Sequence, residues 1–241
     1  MSPEIAKVAG RRRRFFRSPW IHVLLALVMV SLVQGFFVKV YSVPSGSMEQ
    51  TLTVGDRVLV NRTAYLASGP KRGDVVVFRK PADWGQPSDP GVLRVAVGWF
   101  GELTGIGPGN TDYLVKRVIG LPGDTVECCD GAGQVKVNGV AVSEPYVFQD
   151  LAFTAGGVDC STAVRSPRCF GPIHLGEDQY LFLGDHRSNS GDSVSACRSV
   201  GALATCVKTA GRAEIIGRVD GFLFPFDKWG KTEFLTGQPP A

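Results

Sequence analysis

Hydrophobic side chains along this chain fall into two patterns. From Ile21 to Val38 they are nearly continuous, IHVLLALVMVSLVQGFFV, 18 residues without Asp, Glu, Lys or Arg. As an α-helix rising about 1.5 Å per residue, that run just crosses a hydrocarbon core of about 30 Å. Trp20 and Tyr41 flank it as interfacial anchors, and His22 and Gln34 lie close enough to its ends to reach water. Further on, the apolar residues come in short β-branched runs: RVLVNR (57–62), DVVVFR (74–79), YLVKRVI (113–119) and QYLFL (179–183). Gly-Asp and Gly-Pro turns separate them, so the pattern predicts strands. Three lead-ins share G-D-x-V, beginning at Gly55, Gly73 and Gly123. Their unequal spacing indicates a recurrent turn, not a repeat protein. VKVNGVAV (135–142) predicts a hairpin, since Asn138-Gly139 tolerates the positive φ angles of a type I′ turn.

The predicted organisation is a tail (1–19), a transmembrane anchor (20–38) and one mainly β domain (39–241). Two stretches interrupt the β rhythm. Residues 80–112 hold four prolines around VLRVAVGWF (92–100), which is readable as a short helix whose Trp99 and Phe100 meet either the bilayer or the core. Residues 143–178 read as a loop-rich insertion.

Charge refines this picture. The chain carries +4 overall, but residues 1–19 hold six cations against Glu4, which leaves the remainder one charge below neutral. The basic excess is therefore a local tail and argues against a nucleic-acid partner. Arginines before the apolar run predict a cytoplasmic N-terminus, with everything after Val38 outside the cell. A cleaved signal peptide shares the basic and apolar order, but the run exceeds an ordinary signal core and only Val40-Tyr41-Ser42 offers a weak cleavage site. All six cysteines fall in the external part, where thiols oxidise. Cys160 with Cys169 and Cys197 with Cys206 are the favoured pairs among the possible connectivities. Zinc is disfavoured, because no C-x-x-C or Cys/His cluster has ligand spacing.

The segment SVPSGSMEQTL (42–52) places serines on a constrained turn just past the anchor. A serine needs a base to become a nucleophile. Of three histidines, His22 lies in the apolar run, His174 in the insertion and His186 beside Asp185. Consecutive side chains of an extended segment point apart, so Asp185 is a poor orienter for a Ser-His-Asp triad. A neutral lysine is the other option. Its pKa must fall from about 10.4 toward neutrality, at a cost of about 3 to 4 kcal/mol supplied by burial. Lys116 sits in YLVKRVIGLPGD, where alternation groups it with Leu114 and Val118 on a core-like face. A strand lysine taken alone would ordinarily extend its amine to solvent.

Four segments in order, VPSGSMEQTLTVGDRVLV, KRGDVVVF, YLVKRVIGLPGD and GDHRSNSGDS, resemble the sequence boxes of the bacterial type I signal peptidases, with GRVDGFLFPFDKWG following near the C-terminus. The resemblance covers about residues 20–80, 113–127 and 180–225. It implies a mainly β fold, with antiparallel sheets of the signal peptidase type and a loop-rich insertion, preceded by one N-terminal transmembrane helix. It implies Ser47 as nucleophile and Lys116 as general base, with the Ser47 amide and the Ser45 hydroxyl as oxyanion donors. Ser190 matches the hydroxyl that aims the amine, Asp192 a supporting carboxylate, and Arg117 with Asp185 an ion pair. Substrate would lie extended between residues 39–43 and 113–116, with pockets lined by Val43, Met48, Leu52, Tyr113 and Val115 that admit Ala. The implied activity is removal of signal peptides from secretory preproteins at the membrane surface, without metal or organic cofactor.

The chain departs from the family's usual G-D-N-R and D-S-R at His186 and Val194, which leaves Arg198 as the candidate partner for Asp192. Two other readings remain at this level. One is a Ser/Lys self-cleaving regulator, although no DNA-binding segment stands where the anchor does. The other is an anchored β-domain that binds exported chains without cutting them.

Overall fold

The structure, a computed structural model, describes residues 19–85, 112–199 and 204–229. The possible helix at 92–100, most of the 80–112 interruption and the basic tail through residue 18 lie outside the described residues. Helix α1 (Pro19–Phe36) buries none of its side chains and is long and apolar enough to cross a membrane. It equals the apolar run in length but begins and ends two residues earlier. Val38 opens strand β1 (Val38–Ser42), because the alternating VKVYS pairs with β2 (Arg57–Asn61) in place of a further helical turn.

Strands β3 (Val75–Arg79), β4 (Tyr113–Gly120), β9 (Leu181–Leu183) and β10 (Ile215–Phe224) complete a six-stranded antiparallel sheet in the order β1-β2-β10-β3-β4-β9. A four-stranded antiparallel sheet, β7-β6-β5-β8, is built from β5 (Thr125–Cys128), β6 (Val135–Val137), β7 (Val140–Ala141) and β8 (Phe170–His174). The hairpin expected at 135–142 is β6-β7, with Asn138 and Gly139 at φ 52° and 80°. The insertion at 143–178 is loop-rich only up to Phe170, where β8 begins.

The larger sheet is covered on both faces. Val75 and Val77 of β3 enter one cluster with Met48, Leu52, Val58 and Phe222, while Val76 and Phe78 enter another with Val118, Trp84 and Phe182. This explains the unbroken apolar run in DVVVF, since period-2 alternation feeds two cores. β10 lies at the centre of the sheet but is irregular, with register shifts at Ile215/Gly217, Val219/Gly221 and Phe222/Phe224. Its Gly217 is required for packing, since a Cβ there would stand 2.3 Å from the Asn61 carbonyl oxygen.

The three G-D-x-V segments form the same corner. Gly55, Gly73 and Gly123 take φ of 91°, 92° and 82°. Each following aspartate accepts a backbone N–H from three residues earlier: Asp56 from Thr53, Asp74 from Lys71 and Asp124 from Leu121. Glycine supplies the left-handed bend and the short carboxylate satisfies the turn.

The cysteines pair as Cys128–Cys129, Cys160–Cys169 and Cys197–Cys206. The last two are the favoured staples, and the first joins neighbours at the end of β5.

Candidate active site

After β1 the chain turns sharply and re-enters the core. Val43 N–H donates to the Asp56 carbonyl, and Ser45 is extended at φ −142° and ψ 157°. Gly46–Met48 then form one 3-10 turn, fixed by Met48 and by Leu52, whose N–H donates to the Met48 carbonyl at 2.7 Å. Both side chains are fully buried in the same core cluster, so hydrophobic packing anchors the turn that carries Ser47. Ser47 is 7% exposed. The first N–H groups of a helical turn lack partners within it, which leaves the Ser47 amide able to meet a developing oxyanion.

Lys116 approaches from β4, opposite Val76 of β3. Its Nζ lies 2.5 Å from Ser47 Oγ, across 69 positions of sequence, and the residue is 3% exposed. Burial brings the amine down from its ordinary range to about 8, against the opposing pull of Asp192 and Asp185, whose negative charges favour the ammonium. The solvent-extended alternative for this lysine is excluded by its burial.

Ser45 Oγ is 3.4 Å from Ser47 Oγ, on the exposed side of the turn. Ser190 does not make the hydrogen bond expected of it: its Oγ is buried without a partner, and the amine contacts Ser47 directly. It nevertheless adjoins the Ser47 turn across Gly184. A Cβ on Gly184 would fall 2.2 Å from Ser190 Oγ and 2.5 Å from the Ser47 carbonyl oxygen. Gly184→Ala must therefore push one of these apart, and a shift of about 1 Å in a reacting group can cost about 100-fold. We expect kcat to fall by about that factor in steady-state cleavage assays, with the folded fraction followed separately by circular dichroism.

Asp192 is fully buried and accepts from Arg198 at 3.1 Å and from the Val194 amide at 3.2 Å. Arg198 thus takes the role open to it, next to the Cys197–Cys206 staple, while Val194 is packed in the core of the second sheet. Arg117 and Asp185 form a two-pronged pair at 2.9 and 2.6 Å, with both side chains wholly inaccessible. Thr51 Oγ1 donates to the same carboxylate at 2.5 Å, and the guanidinium stacks on Tyr146 at 3.9 Å. The pair is no exposed ornament, because it joins β4 to the loop that carries Ser190.

A cleft lined by Val43, Pro44, Ser45, Met48, Tyr113, Leu114 and Val115 opens beside Ser47 and Lys116. Leu52 is not in its wall; it is wholly buried beneath the turn. β1 ends the sheet order, and β9 pairs with β4 only from Arg117 onward. Among the described strands, residues 113–116 therefore pair with β3 alone, so both segments flanking the cleft present a strand edge. The Tyr41 ring of β1 meets the Tyr113 ring of β4 edge to face at 4.9 Å.

Sequence reasoning missed the partners that come from the insertion. Glu144 pairs with buried Arg187 at 2.5 Å, and Phe148 and Gln149 pack on His186. No local pattern marks these residues, since their partners lie about 40 positions away. Cys129, Cys160 and Cys169 bring their sulfurs within 4.8 Å of one another, but as disulfides they offer no thiolate to a metal.

Comparison with known proteins bears on the whole domain. The family model described as "Signal peptidase, peptidase S26" matches residues 17–222. Signal peptidase I of Mycobacterium tuberculosis is 32% identical over 240 residues, covering 94% of this chain and 79% of that protein. Signal peptidase I of Bacillus amyloliquefaciens is 31% identical over 211 residues, covering 88% and 89%. A crystal structure of a signal peptidase I from Enterococcus faecalis aligns with 62% of this chain and 96% of that one at 24% identity, with a TM-score of 0.33, an overlap too loose to refine the fold. The turn, the buried amine and the two sheets are thus those of a chain that belongs to the signal peptidase S26 family of serine endopeptidases.

Proposed function

We propose that this protein is a type I signal peptidase, anchored by α1, that removes N-terminal signal peptides from exported preproteins at the outer face of the membrane. The observation that carries the reading is the 2.5 Å approach of Lys116 Nζ to Ser47 Oγ, both residues being buried at the edge of the cleft. The neutral amine takes the hydroxyl proton as Oγ attacks the scissile carbonyl carbon. The Ser47 amide and the Ser45 hydroxyl hold the oxyanion. As the C–N bond breaks, the lysine ammonium returns the proton to the leaving amine, and the mature chain departs. The neutral amine then deprotonates a water that attacks the ester, which releases the signal peptide and restores Ser47.

Substrate adds as a strand between β1 and the open edge of β4, with Ala side chains entering the cleft formed by Val43, Met48, Tyr113 and Val115. Ser47 follows the end of α1 by eleven residues, so even an extended link keeps it within about 40 Å of the helix end. A preprotein held by its own apolar segment presents its cleavage site in the same layer, and tethering both partners raises their encounter rate. The test is Ser47→Ala in a preprotein cleavage assay run in trans, with an acylating lactam as probe. We expect loss of both cleavage and labelling in a folded protein. Retained cleavage would reject the assignment, and cleavage confined to the enzyme's own chain would favour a self-processing regulator.

A further inference from the structure

His186 grips the nucleophile's turn through both its backbone and its ring. Its backbone N–H donates to the Ser47 carbonyl at 3.2 Å. Its Nδ1 lies 3.1 Å from the Gly46 carbonyl oxygen and 3.1 Å from Glu49 Oε2. Both of these are acceptors, so Nδ1 carries a proton. Nε2 lies 3.1 Å from Gln149 Oε1, and the ring meets Phe148 edge to face at 5.1 Å. The residue is 7% exposed. Gly46 leaves the room this arrangement needs: a Cβ there would stand 2.8 Å from the Glu49 carboxylate.

The insertion reaches the active site at the same place. Phe148 N–H donates to the Asp185 carbonyl, Arg187 N–H to the Phe148 carbonyl, and Ser188 N–H to the Gln149 carbonyl, at 2.8, 3.2 and 3.1 Å. The Glu144–Arg187 pair locks this contact from behind. A three-residue 3-10 turn has few hydrogen bonds of its own and poor geometry in those it has, so its carbonyls must be held from outside.

We propose that His186 is a positioning residue for Ser47. Its imidazole holds the Gly46 carbonyl and Glu49, is propped by Gln149 and Phe148, and fixes the turn so that Ser47 Oγ faces Lys116. The inference rests on Ser47 being the nucleophile, and it makes the insertion the outer wall of the catalytic turn.

The experiment uses the full chain in detergent micelles and a peptide substrate with Ala one and three positions before the scissile bond. His186→Phe keeps the ring's bulk and removes its hydrogen bonds. We expect kcat to fall 10- to 100-fold, KM to stay within about 2-fold, and acylation of Ser47 by a lactam to slow in parallel. His186→Asn, whose amide can still donate to the Gly46 carbonyl, should recover activity to within about 5-fold of the parent. Gln149 is exposed, so Gln149→Ala tests the prop without endangering the fold and should lower kcat about 3-fold. The proposal is overturned if His186→Phe or Gln149→Ala leaves kcat unchanged, if KM moves in place of kcat, or if Asn restores no more than Phe. Should His186→Phe fail to fold, Gln149→Ala decides: an unchanged kcat there overturns the proposal. A Ser47→Ala control separates the two levels: cleavage surviving there removes the nucleophile itself, whereas a dead control beside an unaffected His186→Phe removes only the positioning role.

Discussion

Lys116→Met should abolish preprotein cleavage, lowering kcat about 1000-fold or more, while leaving the protein at least as stable as the parent. The loss follows because, among the described residues, no other base hydrogen-bonds Ser47 Oγ: the ring of His186 is turned to Gly46, Glu49 and Gln149. The stability gain follows from the cost of the buried amine. Its folded pKa of about 8 lies below the unfolded value, so the unfolded chain holds the extra proton between about 8 and 10.4. Stability contributed at this site therefore rises with pH through that window. Below it the buried amine costs about 3 kcal/mol, which methionine relieves. Wild-type kcat/KM should climb as pH rises toward a plateau, with a midpoint near 8, as the amine loses its proton. Turnover near that of wild type in Lys116→Met, or a rate independent of pH between 6 and 9, would remove lysine as the base. Thermal melts of both proteins at pH 7 check the stability half.

Asp185→Ala should be the most destabilising single change around the site, by about 3 to 5 kcal/mol. The carboxylate compensates Arg117 at two points in a place without solvent. Removing it strips a guanidinium that cannot lose its proton, stacked on Tyr146, of its two-point carboxylate partner. Thr51 Oγ1 also loses its acceptor. The accompanying double variant, Asp185→Ala with Arg117→Met, should recover a large part of the loss, because no lone charge remains buried. Denaturant midpoints at unchanged slope measure both effects. A midpoint for Asp185→Ala within experimental error of the parent would show that water reaches the arginine.

Much of this arrangement was legible in the chain before any coordinates. The proposed nucleophile and base could be matched to the family's boxes because each sits in a local pattern, a Pro-Ser-Gly-Ser turn and a lysine inside a β-branched run. The three Gly-Asp corners and the Asn-Gly hairpin were legible for the same reason: a positive φ leaves a residue-level signature. What escaped was non-local. β10 hid because Gly217 and Gly221 and its own register shifts interrupt its alternation, and the need for Gly217 is clear only once Asn61 is in place. β8 hid among the prolines and cysteines of the insertion. Leu52 was expected in the pocket wall from the resemblance, but the turn that carries Ser47 drives Leu52 inward. Ser190 lies beside the Ser47 turn but not in the hydrogen bond expected of it. The contacts that the insertion makes with His186 and Arg187 come from residues about 40 positions upstream, and no spacing rule reaches that far.

A single residue, Phe37, separates the last turn of α1 from the first position of β1, and its carbonyl accepts the Arg62 amide at 2.8 Å. No flexible tether intervenes. With α1 embedded in a bilayer, the domain would ride on a stiff stalk and sweep only a thin shell above the headgroups. Selection among passing chains would then depend partly on altitude: a suitable sequence projecting too far into solvent would go uncut, whatever its side chains.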